Sequence, residues 1–441
     1  MSEPIAVVPF REAIRAWAYV ALNSFGGPAG QIAVMHREIV ERRGWIDEKR
    51  FLHALNYAML LPGPEAQQLA TYIGWLMHGV RGGLAAGILF VLPGAVVLMV
   101  LSVLYAGFGD VSLVQGLFYG IKPAVIAVVA AAVVRLSRRS LLTRAHVAIA
   151  IAAFVAIFFF DMPFPLIIIG AAVAGLVTQR HAKPASDEEP ETDSDAEALA
   201  RPSAPRSIGA LLLGVGAWLA PTVALLVVLG PSSIFTQLAL FFSFAAVITF
   251  GGAYAILAFV GQQAVDVYGW LTARQMVDGL GLAESTPGPL IMVVQFVAFL
   301  AAFATPTGLD PFLAGALAGL LVTWVTFVPS FTFIFAGAPY AEYIRSRPGP
   351  AAALSGISAA VTGVIANLAI WFSLQTLFAV TGELRHGPLR LHTVELASVD
   401  LFALGLAVIS YIGLTRLRWP LLATLAASAA AGLVYFLLVG P

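Results

Sequence analysis

The sequence predicts an all-α polytopic membrane protein built from two homologous repeats of inverted topology, with re-entrant or broken helices. Three observations support this fold class: the composition, a set of long apolar runs and an internal repeat. Of the 441 residues, 60% are hydrophobic and 11% are charged, whereas a soluble domain carries about 25% charged residues. This composition excludes a soluble enzyme.

Long apolar runs are the second observation. A helix that crosses a bilayer needs about 20 mostly apolar residues, and several stretches meet this requirement without a single charge. The first ten residues lack the pattern of a cleavable signal, so we expect the first hydrophobic helix to direct insertion. The expected spans are 84–107, 111–136 (interrupted by Lys122), 143–160, 164–178, 208–229, 312–340, 351–381, 401–415 and 420–439.

An internal repeat is the third observation. Ser24-Phe25-Gly26-Gly27 recurs as Thr249-Phe250-Gly251-Gly252, and Pro62-Gly63-Pro64 recurs as Pro287-Gly288-Pro289, both at an offset of 225 residues. Gly44-Trp45 recurs as Gly269-Trp270 at the same offset. Further along, Gly120 corresponds to Gly356 at an offset of 236, which a single insertion in the second half explains. A fixed period of this kind indicates a duplicated structural unit.

The basic residues indicate that the two halves have opposite orientations. The segment 37–50 of the first half carries five basic residues, whereas the aligned segment 261–275 carries only Arg274. By the positive-inside rule, the first segment is cytoplasmic and the second is not. The chain then divides into a first membrane repeat (1–180), an acidic disordered linker (181–207), an inverting transmembrane helix (208–230) and a second membrane repeat (231–441). Inverted repeats are typical of secondary transporters.

The charge balance separates the linker from the membrane body. The chain has 24 basic and 24 acidic residues, which argues against a nucleic-acid partner. Seven of the acidic residues lie between Asp187 and Glu197, so the rest of the chain is positive by seven charges. A positive body suits an anion carrier, and a solvated tail whose charges matter little is the alternative.

Metal and thiol chemistry are disfavoured by composition. The chain has no cysteine, which excludes disulfides, thiolate metal sites and cysteine nucleophiles. Its seven histidines are scattered along the chain, which argues against a zinc site. No cofactor is predicted.

The Gly-Gly and Pro-Gly-Pro motifs are predicted to be the tips of re-entrant helical hairpins. If the helix before Gly26 crossed the whole membrane, the basic residues at 37–50 would face outside, against the positive-inside rule. Irregular backbone at membrane depth is tolerated only where it lines protein or a watery cavity. We therefore expect the four tips to form a site.

Anion binding is the chemistry that such tips favour. A helix that begins after a mid-membrane break presents unpaired N–H groups and about half a positive charge to the break. Breaks that only kink packed helices are the alternative. The expected substrate-binding residues at the tips are Ser24, Phe25, Gly26, Gly27, Gln31, Asn56, Pro62, Gly63, Pro64, Thr249, Gly251, Gly252, Thr286, Pro287, Gly288 and Pro289.

Three charged residues lie in apolar surroundings. Lys122 is also expected to bind substrate, because a buried ammonium costs at least about 2.5 kcal/mol and needs an anionic partner. A structural ion pair and a snorkelling side chain are the alternatives. Glu65 and Glu284 lie at the Pro-Gly-Pro tips, where a carboxylate either stabilises a helix start or takes up a proton that couples transport. Ordinary interfacial positions are expected for His36, His53 and Asp278.

The motifs together carry a resemblance to a known family. They are Phe25-Gly26-Gly27-Pro28 with Gln31, Gly44-Trp45-Ile46 with Phe51, Leu61-Pro62-Gly63-Pro64, and in the second half Phe250-Gly251-Gly252 and Thr286-Pro287-Gly288-Pro289. This set resembles the chromate ion transporter family in its long, two-domain form, over nearly the whole chain outside the termini and linker. The second half departs from the pattern at Ala253, Ile256 and Ser358, which stand where the first half has Pro28, Gln31 and Lys122.

The resemblance implies a multi-pass inner-membrane transporter, not an enzyme, that exports chromate, draws on the proton motive force and confers chromate resistance. The implied partners are chromate or a sulfate-like oxyanion, protons and the lipid bilayer, with a homodimer left open. Alternating access around the crossed tips is the expected mechanism. A passive anion channel is the main alternative. An intramembrane lipid-phosphate hydrolase is a further one, but it requires Ser, His, Glu and Arg that converge at the tips, and no His lies there.

Overall fold

The computed structural model describes residues 8–179, 204–250, 253–337 and 348–440. Within these ranges the chain forms sixteen α-helices. Gly251, Gly252 and residues 181–203 of the predicted linker 181–207 lie outside the described residues. The remaining linker residues, 204–207, belong to a helix that begins at Ala204.

The first half contains seven helices. Two of them start at recognisable signals: α2 follows Gly26, whose φ is 84°, and α3 is capped by the Asp47 side chain, which accepts a hydrogen bond from the Arg50 N–H. A π-helical turn, Arg37–Arg42, extends α2. The helices are α1 (Phe10–Asn23), α2 (Gly27–His36), α3 (Glu48–Leu60), α4 (Glu65–Phe108), α5 (Ser112–Ser140), α6 (Arg144–Phe160) and α7 (Phe164–Gln179).

The second half contains the other nine helices and one β-hairpin. The helices are α8 (Ala204–Leu229), α9 (Ile234–Ile248), α10 (Ala253–Gln262), α11 (Ala273–Ser285), α12 (Val293–Ala304), α13 (Pro311–Gly337), α14 (Pro348–Leu377), α15 (Leu401–Thr415) and α16 (Leu421–Val439). The hairpin joins β1 (Thr381–His386) to β2 (Leu389–Val394) in antiparallel register. Helix α8 has no counterpart among the described residues of the first half.

The helix bounds repeat at the offset that the motifs predict. Helix α11 begins and ends 225 residues after α3, and a π-helical turn, Gln263–Val267, extends α10 as the earlier turn extends α2. Helix α4 is broken at His78 and Gly79, and the corresponding part of the second half is the loop between α12 and α13. The two halves therefore share one succession of helices.

In the part of the chain that the structure describes, six helices are long and apolar enough to cross a membrane. They are α4, α5, α8, α13, α14 and α16, and six shorter apolar helices accompany them. This confirms the prediction of an all-α polytopic membrane protein. The predicted span 351–381 is shortened in the structure, since α14 ends at Leu377. Residues 338–340 of the predicted span 312–340 lie outside the described residues.

The halves pack against each other through matched helices. Helix α5 of the first half packs on α15 and α16, and α14 of the second half packs on α6 and α7. Paired glycines allow the backbones to approach closely: a Cβ on Gly120 would lie 2.1 Å from the Ser428 carbonyl oxygen, and one on Gly356 would lie 2.2 Å from that of Ala171. Small residues at such contacts are how membrane helices gain van der Waals packing. Gly120 and Gly356 are the repeat mates found in the sequence.

The β-hairpin is a feature that the apolar pattern does not predict. Arg390 on β2 forms ion pairs with Asp161 at 3.1 Å, Asp266 at 3.4 Å and Glu383 at 2.9 Å. Asp161 lies in the α6–α7 turn and Asp266 in the turn after α10. One arginine therefore ties three separate loops together at one end of the bundle.

Replacing Gly120 by alanine tests the close contact between α5 and α16. The added methyl group would collide with backbone, and overpacking of this kind costs about 1–3 kcal/mol. We expect a lower unfolding temperature for the purified protein in detergent. Gly405→Ala is the control, because no atom lies within 4 Å of a Cβ at that helical glycine, and alanine there favours the helix by about 0.5–1 kcal/mol. Equal unfolding temperatures for the two variants would contradict the contact.

Acid should loosen the hairpin. Burial opposes ionisation of Glu383, but the hydrogen bond from Arg385 and the charges of Arg390 and Arg385 outweigh it and lower the carboxyl pKa. Burial and then the charge of Arg390 lower the pKa of His392. The hairpin favours ionised Glu383 and neutral His392, which are the forms that dominate at high pH. The stability that these groups contribute is therefore present above their ordinary pKa values. It is lost as the pH falls, starting from about pH 6.5 for the histidine.

Hydrogen exchange of residues 381–394 against pH measures this loosening. Protection is expected to fall on acidification, and His392→Gln should change the transition, whereas His386→Gln, at an exposed position of the same hairpin, should not. Protection that stays constant down to acid pH would exclude the ion-pair network as the force that holds the hairpin.

Candidate functional site

Two backbone hydrogen bonds join the tips of the two halves. The N–H of Gly63 donates to the carbonyl of Thr249 at 2.8 Å, and the N–H of Gly288 donates to the carbonyl of Ser24 at 2.8 Å. Both the donors and the acceptors are repeat mates at the offset of 225. Each Pro-Gly-Pro tip is therefore bonded to the chain that leads into the Phe-Gly-Gly tip of the opposite half.

Glycine is required at these tips by backbone conformation. Gly26 and Gly27 have φ values of 84° and 71°, and Gly63 and Gly288 have φ values of 125° and 104°. Residues with a Cβ adopt this region only with strain, whereas glycine adopts it freely. Space is limited as well, since a Cβ on Gly63 would lie 2.6 Å from the Ser330 hydroxyl and one on Gly27 would lie 3.1 Å from the Tyr254 hydroxyl.

One small cavity lies between the tips. Its volume is about 10 Å³, which is room for about one water molecule. The lining residues come from all four tips and the helices that start there: Pro28, Gln31, Pro64, Glu65, Ala66, Ala253, Pro289, Leu290 and Ile291. The four tips therefore surround one place, and in this conformation that place is too small for a polyatomic ligand.

The predicted hydroxyl donors are engaged with their own helices. Ser24 donates to the Val20 carbonyl at 2.6 Å, and its mate Thr249 donates to the Ala245 carbonyl at 2.6 Å. Thr286 likewise donates to a carbonyl in its own helix, that of Ala283, at 3.0 Å. These hydroxyl protons satisfy backbone at the ends of α1, α9 and α11, so in this conformation they are not offered to a ligand.

The predicted amides differ from each other. Gln31 is buried, lines the cavity and donates to the carbonyl of Gly288 at 2.6 Å, which adds a third link between the halves. Asn56 is exposed on the surface of α3 and does not line the cavity. Phe25 is half-buried beside the first tip. Gln31 is thus the predicted amide that the fold places at the tips.

Glu284 and Glu65 lie in different environments. Glu284 is 1% exposed, and its Oε1 accepts a hydrogen bond from the Tyr254 hydroxyl at 2.7 Å, while its Oε2 has no partner among the described residues. Glu65 is half-buried, begins α4 and lines the cavity. An uncompensated buried carboxylate is costly, so Glu284 is a strong candidate to bind a proton.

Lys122 forms an ion pair that the sequence does not reveal. Its ammonium group lies 3.1 Å from Oδ1 of Asp278, and the Tyr105 hydroxyl donates to Oδ2 of the same carboxylate at 2.9 Å. Asp278 is 3% exposed, so its assignment as an interfacial residue is wrong. The helical face of α11 that carries Asp278 is turned toward α5, which a hydropathy pattern does not show. Lys122 does not line the cavity between the tips.

Four site residues were missed from the sequence: Tyr254, Asp278, Gln68 and Ser330. Gln68 donates to the Pro62 carbonyl at 2.7 Å, and Ser330 lies against Gly63. The 236-residue offset could have identified Ser330, because Ser330 is the repeat mate of Gly94. A Cβ on Gly94 would lie 2.7 Å from the carbonyl oxygen of Pro287, at the other Pro-Gly-Pro tip. Each long helix therefore supports the Pro-Gly-Pro tip of the opposite half.

Comparisons with known proteins agree with the motifs. A family model described as "Chromate transporter" matches residues 11–176 and 236–433. The chain is 33% identical to a chromate transport protein of Pseudomonas aeruginosa, over 78% of this chain and 76% of that one. It is 29% identical to a probable chromate transport protein of Synechococcus elongatus, over 80% and 82%. It is 27% identical to a chromate transport protein of Cupriavidus metallidurans, over 82% of each. No solved structure matches.

Removing one partner of the Lys122–Asp278 pair should cost more than removing both. Lys122→Met leaves a buried carboxylate without its counter-charge, which destabilises by about 3–5 kcal/mol. In Lys122→Met/Asp278→Asn no formal charge remains, and we expect most of the stability to return. Thermal unfolding in detergent measures this. If the double variant is no more stable than the single one, the pair does not act as a unit.

Proposed function

The chain belongs to the chromate transporter family, and we propose that it exports chromate from the cytoplasm through the site formed by its four tips. The observation that carries this proposal is the reciprocal pair of hydrogen bonds, from Gly63 to Thr249 and from Gly288 to Ser24, which brings four chain breaks to one cavity. Chromate transport is named for several relatives.

The tips offer the chemistry that an oxyanion needs. Helices α2 and α4 begin at this cavity, and the first N–H groups of a helix carry no intrahelical bond and face the break with partial positive charge. Glycine at the tips lets the backbone approach a ligand closely. A tetrahedral dianion can accept hydrogen bonds from several directions at once, so a ring of helix starts suits it. Sulfate has the same shape and charge and is the natural competitor.

The small size of the cavity supports alternating access. Space for one water molecule is too small for an anion with four oxygens, so substrate entry requires the tips to separate on one side. The full-length helices α5 and α14 each pack on helices of the opposite half. We propose that these helices move as a bundle around the tips, with the site open first to one side of the membrane and then to the other.

Proton binding at Glu284 is the proposed coupling step, with Glu65 as the second carboxylate at the site. A fixed negative charge beside the tips repels a dianion, and a proton on the carboxylate removes that repulsion. The proposed location is the inner membrane, where the proton motive force is available, and the proposed consequence for the cell is chromate resistance.

Purified protein in vesicles tests this function. With a pH difference imposed across the vesicle membrane, we expect chromate to accumulate above its equilibrium level, and sulfate to compete with it. Accumulation that collapses to simple equilibration would indicate a passive anion channel instead. Absence of any chromate flux, with the protein shown to be folded, would overturn the proposal.

A pair of glycine variants tests the position of the site. Gly27 and Gly44 have φ values of 71° and 58°, so alanine at either position bears a similar backbone strain of about 1–2 kcal/mol. Gly27→Ala also places a methyl group beside the Tyr254 hydroxyl, one residue from Pro28 of the cavity lining, whereas a Cβ on Gly44 meets no atom within 4 Å. We expect chromate transport in vesicles to fall at least about tenfold only for Gly27→Ala. Equal losses in both variants would show that strain alone is responsible.

A further inference from the structure

We propose that the Tyr254 hydroxyl is a relay that makes anion binding at the Gly27 tip depend on the proton at Glu284. This inference rests on the proposed function, because it specifies how one side chain links its two ligands. Tyr254 is 8% exposed and lies in the first turn of α10. Neither the motifs nor the names of the relatives assign a role to it.

The geometry puts this hydroxyl between two groups. On one side it donates to Oε1 of Glu284 at 2.7 Å. On the other side it lies against the Gly27 backbone, since a Cβ on Gly27 would be 3.1 Å from it. Pro28 and Ala253, the chain neighbours of Gly27 and Tyr254, both line the cavity. The hydroxyl thus spans the distance between a buried carboxylate of α11 and the start of α2.

The direction of one hydrogen bond depends on the proton. When Glu284 is ionised it can only accept, so it holds the Tyr254 proton, and the hydroxyl presents lone pairs toward the Gly27 tip. When Glu284 is protonated, its own O–H can donate to the Tyr254 oxygen. The Tyr254 proton is then free to point at the tip and to bond an oxygen of the anion. No covalent bond forms or breaks at Tyr254; only the donor and acceptor roles exchange.

The surroundings leave Glu284 as the group that takes up the proton. Helix α11 packs on α4, α5, α12 and α14, of which α12 and α14 carry no ionisable side chain. From α5, the positive charge of Arg135 acts on both Glu284 and Tyr254. Lys122 and Tyr105 are engaged with Asp278 instead. The second oxygen of Glu284 has no partner among the described residues, so a half-turn of the carboxyl group can bring a proton bound there to the Tyr254 oxygen without breaking another contact.

The relay exists in one half only. The positions that correspond to Tyr254 and Glu284 at the offset of 225 are Ala29 and Met59. Neither can donate or accept a hydrogen bond through a hydroxyl or carboxylate. The relay therefore adds one proton-dependent hydrogen-bond donor to a site whose backbone groups occur as matching pairs, one in each half.

Binding of labelled chromate to purified Tyr254→Phe and wild type, over a range of pH, tests the relay. The readout is the ratio of the two dissociation constants at each pH, because protonation of chromate itself affects both proteins equally and cancels. We expect phenylalanine to weaken binding about tenfold or more at acid pH, where the freed hydroxyl bonds a charged ligand. The ratio should approach one at alkaline pH, where Glu284 holds the hydroxyl.

Two further variants sharpen the result. Tyr119→Phe is the matched control, because the Tyr119 hydroxyl also donates to a carboxylate, Asp400, at 2.5 Å, but far along the chain from the tips. Its ratio to wild type should stay near one at every pH. Glu284→Gln should bind chromate with the same pH profile whether or not Tyr254 is also changed to phenylalanine.

The outcomes separate the relay from the function it rests on. A Tyr254→Phe ratio that is constant with pH would mean that Glu284 acts by charge alone, and it would overturn the relay while leaving chromate transport intact. Wild-type protein that binds no chromate at any pH would overturn the proposed function and the relay with it.

Discussion

The structure depends on how the chain satisfies backbone polar groups at the breaks between its helices. A helix that ends at membrane depth leaves N–H and C=O groups that lipid cannot satisfy. Here the breaks of one half satisfy those of the other, through the bonds from Gly63 to Thr249 and from Gly288 to Ser24. The same two bonds therefore join the halves and bring the residues that line the cavity together.

Side chains break the symmetry that the backbone sets up. The close contacts at Gly120 and Gly356 occur as a matched pair, and so do the supports of the tips by Gly94 and Ser330. The ionisable groups do not: His53 stands where the second half has Asp278, and Met59 where it has Glu284. The matched backbone donors suit an anion that approaches from either half. The carboxylates that occur in only one half are the groups that can respond to protons.

The helices and the tips can be predicted from the sequence alone, whereas the contacts of the charged side chains cannot. Apolar runs and the 225-residue offset predict the helices and the tips, because both reflect backbone requirements that recur along the chain. The Lys122–Asp278 pair and the inward face of α11 depend on how helices rotate against each other, which one sequence does not encode locally. From the motifs, the hydroxyls of Ser24 and Thr249 are expected to bind a ligand, but in the structure each donates to a carbonyl of its own helix. Residue type alone does not decide between these two partners. The hairpin was missed because Arg390 is held by loops far from it in sequence.

Matched backbone and unmatched side chains together bear on transport. If the halves face opposite sides of the membrane, exchanging their conformations converts a site open to one side into a site open to the other, and the matched backbone gives the two states similar energies. A ligand then shifts the balance only by as much as it binds one state better than the other. The groups that differ between halves, Glu284 with Tyr254 and Lys122 with Asp278, are the ones able to supply that difference. Their positions on α10, α11 and α5, at contacts between the halves, place these groups where relative motion would change their surroundings.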